Sequence, residues 1–293
     1  MTTADLLGKI LQVVMGLAVF AAIVGLLVFF IDRAPKKGRD YWQLVGFLAP
    51  AIILLAIGLI WPAIRTTGLA FLDNSGNFSW DNFIWMFTQP AAIRTLINTV
   101  VWVLLVPTLA TALGLAYAIF IDKSRGERYY KALVFMPMAI SFVGAGIIWR
   151  FVYEYRAGER EQIGLLNAIV TALGGEPVQW LQTDPLNTFL LIVVMIWIQT
   201  GFAMVVLSAA IKGIPAEQIE AAQLDGTNAW QRFTNVTVPG IRSSLVVVLT
   251  TISIATLKVF DIVRTMTAGN FNTSVVANEM YTQAFRASEV GRG

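Results

Sequence analysis

The sequence predicts an all-α, polytopic transmembrane helical bundle. Three observations carry that prediction. Of 293 residues, 57% are hydrophobic and only 13% are charged, with a mean hydropathy of +0.69; soluble domains carry about 25% charge. The apolar residues gather into six segments near the roughly 20 residues that a bilayer core requires. Lys and Arg fall unevenly between those segments.

Ile10 to Ile31 holds 22 uncharged residues, Leu44 to Ile64 holds 21, and Thr95 to Ile121 holds 27. Ala132 to Trp149 holds 18 and Pro185 to Ile211 holds 27. The sixth segment, Ser243 to Val263, is interrupted by Lys258 and Asp261, which at i, i+3 fall on one helix face. They read there as a structural pair or an outer gate. Pro50, Pro107 and Pro137 lie within segments; membrane helices tolerate proline where neighbours re-satisfy the freed backbone. The first segment is too long for a signal-peptide core of about 7–15 residues and reads as a retained helix.

Basic residues in short loops set orientation. Loop 32–43 carries Arg33, Lys36, Lys37 and Arg39; loop 122–131 carries Lys123, Arg125, Arg128 and Lys131; loop 212–242 carries Lys212, Arg232 and Arg242. The opposite side has Lys9, Arg65, Arg94, Arg156 and Arg160. An eleven-to-five bias puts the first three loops in the cytoplasm and the N-terminus outside. Dispersed in this way, the net charge of +3 is a topology signal and not a nucleic-acid footprint.

The outer loops look ordered. Residues 65–94 are rich in aromatics, including Phe71, Phe78, Trp80 and Phe83, which read either as an interfacial belt or as a docking surface. Gln162 to Leu173 has helical apolar spacing, is too short to span, and ends at Gly174-Gly175. It reads as an amphipathic helix on the outer surface.

Loop 212–242 is the most informative stretch. Its length of about thirty residues far exceeds the 2–8 usual between bundle helices. Pro215 stands where a helix can begin, with Glu217 and Glu220 in its first turns, where acids suit the helix dipole. A short helix is expected over Ala216 to Leu224, a break at Gly226, a second segment from Asn228 to Val236, and closure at Pro239. Asp225 is a candidate cap for the second segment. The small pair Ala221-Ala222 would let another backbone approach closely.

With its position before the sixth segment, this pattern resembles the EAA loop of permeases of binding-protein-dependent ABC importers. Glu220-Ala221-Ala222 is followed by three residues and Gly226; nine residues later come Val236-Thr237-Val238-Pro239. The stretches 134–158, 161–177, 197–215 and 257–269 are similar to those of carbohydrate permeases, and most similar to the α-glucoside type of the maltose-permease group. Within that group the chain corresponds to the larger, first permease. Two departures stand out. Family members add one more apolar span after a G-R-G-like stretch, and this span is absent from the chain, which ends at Gly291-Arg292-Gly293. A G-G-P found in many relatives is replaced here by the segment 267–271, TAGNF.

The resemblance implies a type I ABC-importer permease fold. It implies an extra N-terminal helix and cytoplasmic linker at 1–43 and a permease core at 44–293. It also implies a second homologous permease, two cytoplasmic ATPase subunits holding ATP and Mg, and an extracytoplasmic solute-binding protein. On this reading Glu220, Ala221, Ala222, Asp225, Gly226 and Pro239 form the ATPase-coupling element, in a prokaryotic inner membrane. Polar residues within spans are costly unless they face a cavity or a partner. Asn98, Tyr117, Gln199, Thr200, Ser208, Ser253 and Thr256, with Trp197 and Phe202 as stacking faces, are therefore candidates for a sugar path or for interhelical hydrogen bonds. Matching by the loop places Gln199, Phe202 and Thr256 nearest the family's sugar-contacting face.

Several functions are excluded or disfavoured. With no Cys and no His, the chain has no thiol nucleophile, no disulfide, no Cys/His metal site and no Ser-His-Asp triad. It has no G-x-x-x-x-G-K-[ST] phosphate loop, so it is expected to be a non-catalytic subunit with no cofactor of its own. The alternatives left are an ABC permease for another small solute and a secondary transporter; the latter usually shows internal repeats, and none is convincing here.

Overall fold

Hydrocarbon offers no hydrogen-bond partner to the backbone, so apolar segments of this length must be helical. The computed structural model bears this out. It describes residues 3–33, 39–73, 75–122, 124–158 and 160–293; Lys36, Lys37 and Lys123 lie outside the described residues. Among the described residues, four helices are long and apolar enough to cross a membrane, or six if two sharply bent pairs each count as one.

Contacts divide the chain into two units, Met1–Phe71 and Leu72–Gly293. In the first, α1 is Thr3–Asp32. α2 (Arg39–Leu55) keeps Pro50 inside and continues through a π-turn, Ala56–Ile60, into α3 (Trp61–Leu69). The apolar part of that run, Gln43–Leu69, is one candidate span.

The second unit holds the core. A hairpin-like turn pairs Leu72 with Phe78 around Asp73, whose Oδ1 accepts from the N–H of Asn77 and of Ser75, each at 2.8 Å. The Asn77 N–H is the largest influence holding the Asp73 carboxyl below the usual carboxylate range. Then come α4 (Asp81–Thr88) and α5 (Pro90–Ile121), the latter with Pro107 in its interior. α6 is Glu127–Phe135, α7 is Phe142–Val152 and α8 is Leu165–Ala172. The long α9, Leu186–Lys212, is followed by α10 (Ala216–Leu224) and α11 (Ala229–Arg232). A π-turn at Phe233–Thr237 leads to α12 (Val238–Gly240), α13 (Arg242–Leu257), α14 (Asp261–Met266) and α15 (Val276–Tyr281).

α5 and α9 form the axis of this unit and run in the same direction. Arg94 pairs with Asp184 at one end, Gly114 meets Ala203 midway, and Asp122 meets Ser208 at the other end. Small residues set the spacing. A Cβ on Gly114 would lie 2.5 Å from the Ala203 Cβ and 2.7 Å from the Met204 nitrogen. A Cβ on Gly201 would lie 2.6 Å from the Val134 carbonyl oxygen, where α9 crosses the end of α6. Close backbone approach of this kind drives association where lipid tails remove the hydrophobic incentive. Fully buried Trp102, Val106, Leu191, Met195, Met204 and Leu207 pack along the same axis.

Two spans differ from their sequence expectation. Ala132 to Trp149 is not one continuous helix: Met136–Ala139 tightens into a 3₁₀ turn containing Pro137, and α7 restarts after Ser141 at an angle of 102°. Proline removes an interior hydrogen bond and clashes with the preceding turn. The Ser141 Oγ then caps α7 by accepting from the Gly144 N–H at 3.1 Å. The sixth span likewise ends early. α13 stops at Leu257 and α14 begins at Asp261, so Lys258 and Asp261 flank a break, and among the described residues they form no ion pair with each other. At its other end α13 meets the Ala229–Gly240 helix at 69°.

Gly114→Val should lower stability by about 1–3 kcal/mol through overpacking. A drop in the thermal unfolding midpoint in detergent would show it. Gly16→Ala, where no atom lies within 4 Å of the added Cβ, should leave that midpoint unchanged.

Candidate functional site

Loop 212–242 is ordered as helix, turn, helix. α9 ends at Lys212, and Pro215 occupies the N-cap of α10 with Glu217 in the first turn. The turn after α10 closes on its last carbonyls. The Gly226 N–H donates to Gln223 O at 3.1 Å, and the Thr227 N–H and Oγ1 both donate to Ala222 O, at 3.2 and 2.5 Å. Gly226 sits at φ +75°, the left-handed region that costs residues with a Cβ about 1 kcal/mol. Arg232 reaches back to Thr227 O at 2.5 Å and pins the turn to α11.

Asp225 is not the cap of the second segment. It stands at the C-terminal end of α10, and Asn228 caps α11. Asn228 Oδ1 accepts from the Gln231 N–H at 2.9 Å while the Gln231 side chain accepts from the Asn228 N–H at 2.8 Å. That reciprocal box is legible as Asn-x-x-Gln, a close relative of the S/T-x-x-E/Q signature.

The exposed face of the loop carries chemistry. Glu220 and Ala221 are exposed, and Ala222 is buried against the loop's own interior. The Glu220 carboxylate makes no hydrogen bond or ion pair among the described residues. Two large apolar side chains were not singled out by sequence: Leu224 is 89% exposed and Trp230 is 70% exposed. A cavity of about 910 Å³, lined by Phe120, Ile211, Ile219, Trp230 and Phe233, lies between the loop and the ends of α5 and α9.

A charged cluster ties those helix ends together. The Lys131 Nζ lies 2.5 Å from Asp122 Oδ1 and 2.8 Å from Glu127 Oε1, and it also donates to the Ser208 Oγ. The Ser208 hydroxyl donates to both Asp122 oxygens, at 2.8 and 2.9 Å. Lys212 pairs with Glu127. The end of α5, the start of α6 and the end of α9 thus share one network, immediately before α10. Sequence had marked Ser208 as a sugar-path candidate; here its hydroxyl serves this network.

The other candidates fall in different environments. Gln199 is buried in α9, and Phe202 is half-buried against the core. Thr256, fully buried, donates to Ile252 O at 2.7 Å within its own helix, as Thr200 does to Ile196 O. Trp197 packs edge-on against Trp149 at 5.6 Å. Tyr117 is exposed. Asn98 donates to the carbonyls of Asn272 and Ser274, and Asn187 to that of Phe271 at 2.8 Å, so both hold the turn before α15.

Helices of membrane-crossing length with an ordered, exposed loop at one end mark a multi-pass membrane protein. Residues 91–288 match the family of binding-protein-dependent transport system inner membrane components, and the chain belongs to that family. It is 50% identical over 249 residues to the osmoprotective compounds uptake permease protein GgtC of Synechocystis sp., covering 84% of this chain and 89% of that protein. It is 49% identical over 250 residues to the alpha-glucoside transport system permease protein AglF of Rhizobium meliloti, covering 84% and 74%. A bacterial alginate ABC transporter, solved in complex with an alginate pentasaccharide-bound periplasmic protein, contains a chain that aligns with a TM-score of 0.74. The identity is 25%, and 88% of each chain is covered. The expected fold and family are therefore borne out, as is a multi-pass place in the inner membrane.

Lys131→Met should cost about 1–3 kcal/mol, because largely buried Asp122 loses its nearest cation and keeps only Lys212, 3.9 Å away. Lys212→Met, with a side chain 51% exposed, should cost less than about 1 kcal/mol. Paired denaturation curves of the two variants in detergent test the difference.

Proposed function

We propose that the chain is the larger permease subunit of an ATP-driven importer of α-glucosides such as maltose or trehalose. The observation that carries the substrate class is the 49% identity, over 84% of the chain, to an α-glucoside permease. The chain works with a second homologous permease, two cytoplasmic ATPase subunits that hold ATP and Mg, and a binding protein on the outer face. It performs no catalysis itself. Its N-terminus is extracytoplasmic, in keeping with the bias of basic loops. A second reading rests on the relative named for osmoprotective compounds, and makes the cargo a small osmoprotectant.

Coupling runs through the loop. Glu220 and the exposed Leu224 and Trp230 dock in a groove of the ATPase, with Ala221 allowing close approach. Ala222, Asp225, Gly226 and Pro239 shape the helix, its turn and its exit. When the ATPase dimer closes on ATP, α10 moves with it. The Asp122–Lys131–Ser208 network makes α5, α6 and α9 follow as one body, and rigid-body movement of this kind alternates access. The cavity beneath the loop leaves room for that shift. Gln199, Phe202 and Thr256 mark the expected sugar path between the spans.

The test is ATP hydrolysis by the full complex in lipid, with binding protein and with maltose, trehalose or a panel of osmoprotectants. Maltose or trehalose should stimulate hydrolysis in the unmodified complex. Glu220→Ala and Leu224→Ser should each cut that stimulation roughly tenfold, the loss of about 1.4 kcal/mol of docking energy. Stimulation by osmoprotectants alone would select the second reading. Unchanged stimulation in both variants would remove the coupling role.

A further inference from the structure

A second cavity, of about 520 Å³, opens at the C-terminal end of α7, against segment 179–182 and the turn after α14. Its size is that of small-molecule sites, roughly 300–1,000 Å³. Tyr153, at the mouth of α7, donates to Leu190 O at 3.2 Å, near the start of α9. From Leu190 to Lys212 a helix rises about 33 Å, close to the roughly 30 Å of a bilayer core. The cavity and the 212–242 loop therefore sit at opposite ends of the bundle.

Its walls are fixed. Asn167 on α8 is fully buried and uses all its hydrogen-bonding capacity. Its Oδ1 accepts from the Val178 N–H at 2.9 Å and from Trp180 Nε1 at 3.0 Å, while its Nδ2 donates to Glu154 O and Val178 O at 3.0 Å each. Trp180 is thereby held as a rigid face, with Phe271 also lining the cavity. The polar lining is different. The side chains of Arg150, Tyr155, Gln179 and Gln182 make no hydrogen bond or ion pair among the described residues. Glu154, the one acid lining the cavity among the described residues, is paired with Arg156 at 3.5 Å.

A fixed aromatic face beside free, planar donor–acceptor groups suits a ring with an apolar face and equatorial hydroxyls. We propose that this cradle is a receiving subsite for neutral oligosaccharides on the outer side, occupied before the sugar enters between the spans. Arg150 and Gln182 grip hydroxyls and Trp180 takes the ring face. The proposal rests on the sugar-importer reading above.

The test exploits the absence of cysteine from the chain. Gln182→Cys and, as a control, Leu173→Cys (83% exposed in the native chain) are introduced singly into the full complex in lipid. Maleimide labelling from outside is timed with and without millimolar maltose or trehalose, in the absence of binding protein. Sugar should slow labelling at position 182 at least threefold and leave position 173 unchanged. In parallel, Arg150→Gln should raise the sugar concentration for half-maximal transport at least fivefold with the maximal rate retained. Sugar-stimulated ATPase with no protection at 182 and no change for Arg150→Gln would overturn the subsite alone. Protection at 182 by sugar-free binding protein, with none from sugar, would assign the cradle to a protein contact and also overturn it. No stimulation by any sugar in the unmodified complex would overturn the importer reading, and this subsite with it.

Discussion

The close, parallel contact of α5 with α9 is the constraint on which the second unit depends. In lipid, two helices gain little from hiding leucines from each other, and they hold together only where backbones meet and polar groups pair. Gly114 supplies the approach against Ala203 and Met204. Both ends are then tied by polar side chains, Arg94 to Asp184 at one and Asp122 to Ser208 and Lys131 at the other. α6, α7, α13 and the turn before α15 are placed by reference to this pair.

The division of labour along that axis follows from polarity. At the 212–242 end, exposed charge and exposed apolar side chains belong to helices of a few turns. At the opposite end, buried asparagines saturate their hydrogen bonds and hold loops in place. An asparagine amide can satisfy two donors and two acceptors at once, so Asn167 fixes a loop wall much as a metal fixes its ligands. The bundle presents one end with exposed short helices and one with loops held by saturated asparagines.

Much of this was legible in the sequence, for reasons that differ by element. Four spans announced themselves by length and hydropathy alone, because hydrocarbon admits few alternatives. The 212–242 loop was legible because Pro215 and Gly226 are local punctuation whose meaning does not depend on tertiary context. The breaks were harder. Pro50 and Pro107 stay inside helices while Pro137 lies in a sharp bend, and the three prolines look alike in sequence. Asp225 lost the capping role to Asn228, which has Gln231 to complete a box. The Asp122–Lys131–Ser208 network joins residues 77 to 86 positions apart, and no local pattern announces it. The cradle near Trp180 was invisible for the same reason.

The turn ahead of α15 has a consequence for how the protein is made. Ala268, Phe271 and Asn272 all adopt left-handed backbone without being glycine, an arrangement that relaxes unless held. Asn98, from α5, and Asn187, from α9, supply the hold by taking the carbonyls of Phe271, Asn272 and Ser274. During synthesis this segment leaves the ribosome after both helices. It can hold this backbone only where they lie side by side, so the shape of the turn depends on the pairing of α5 with α9.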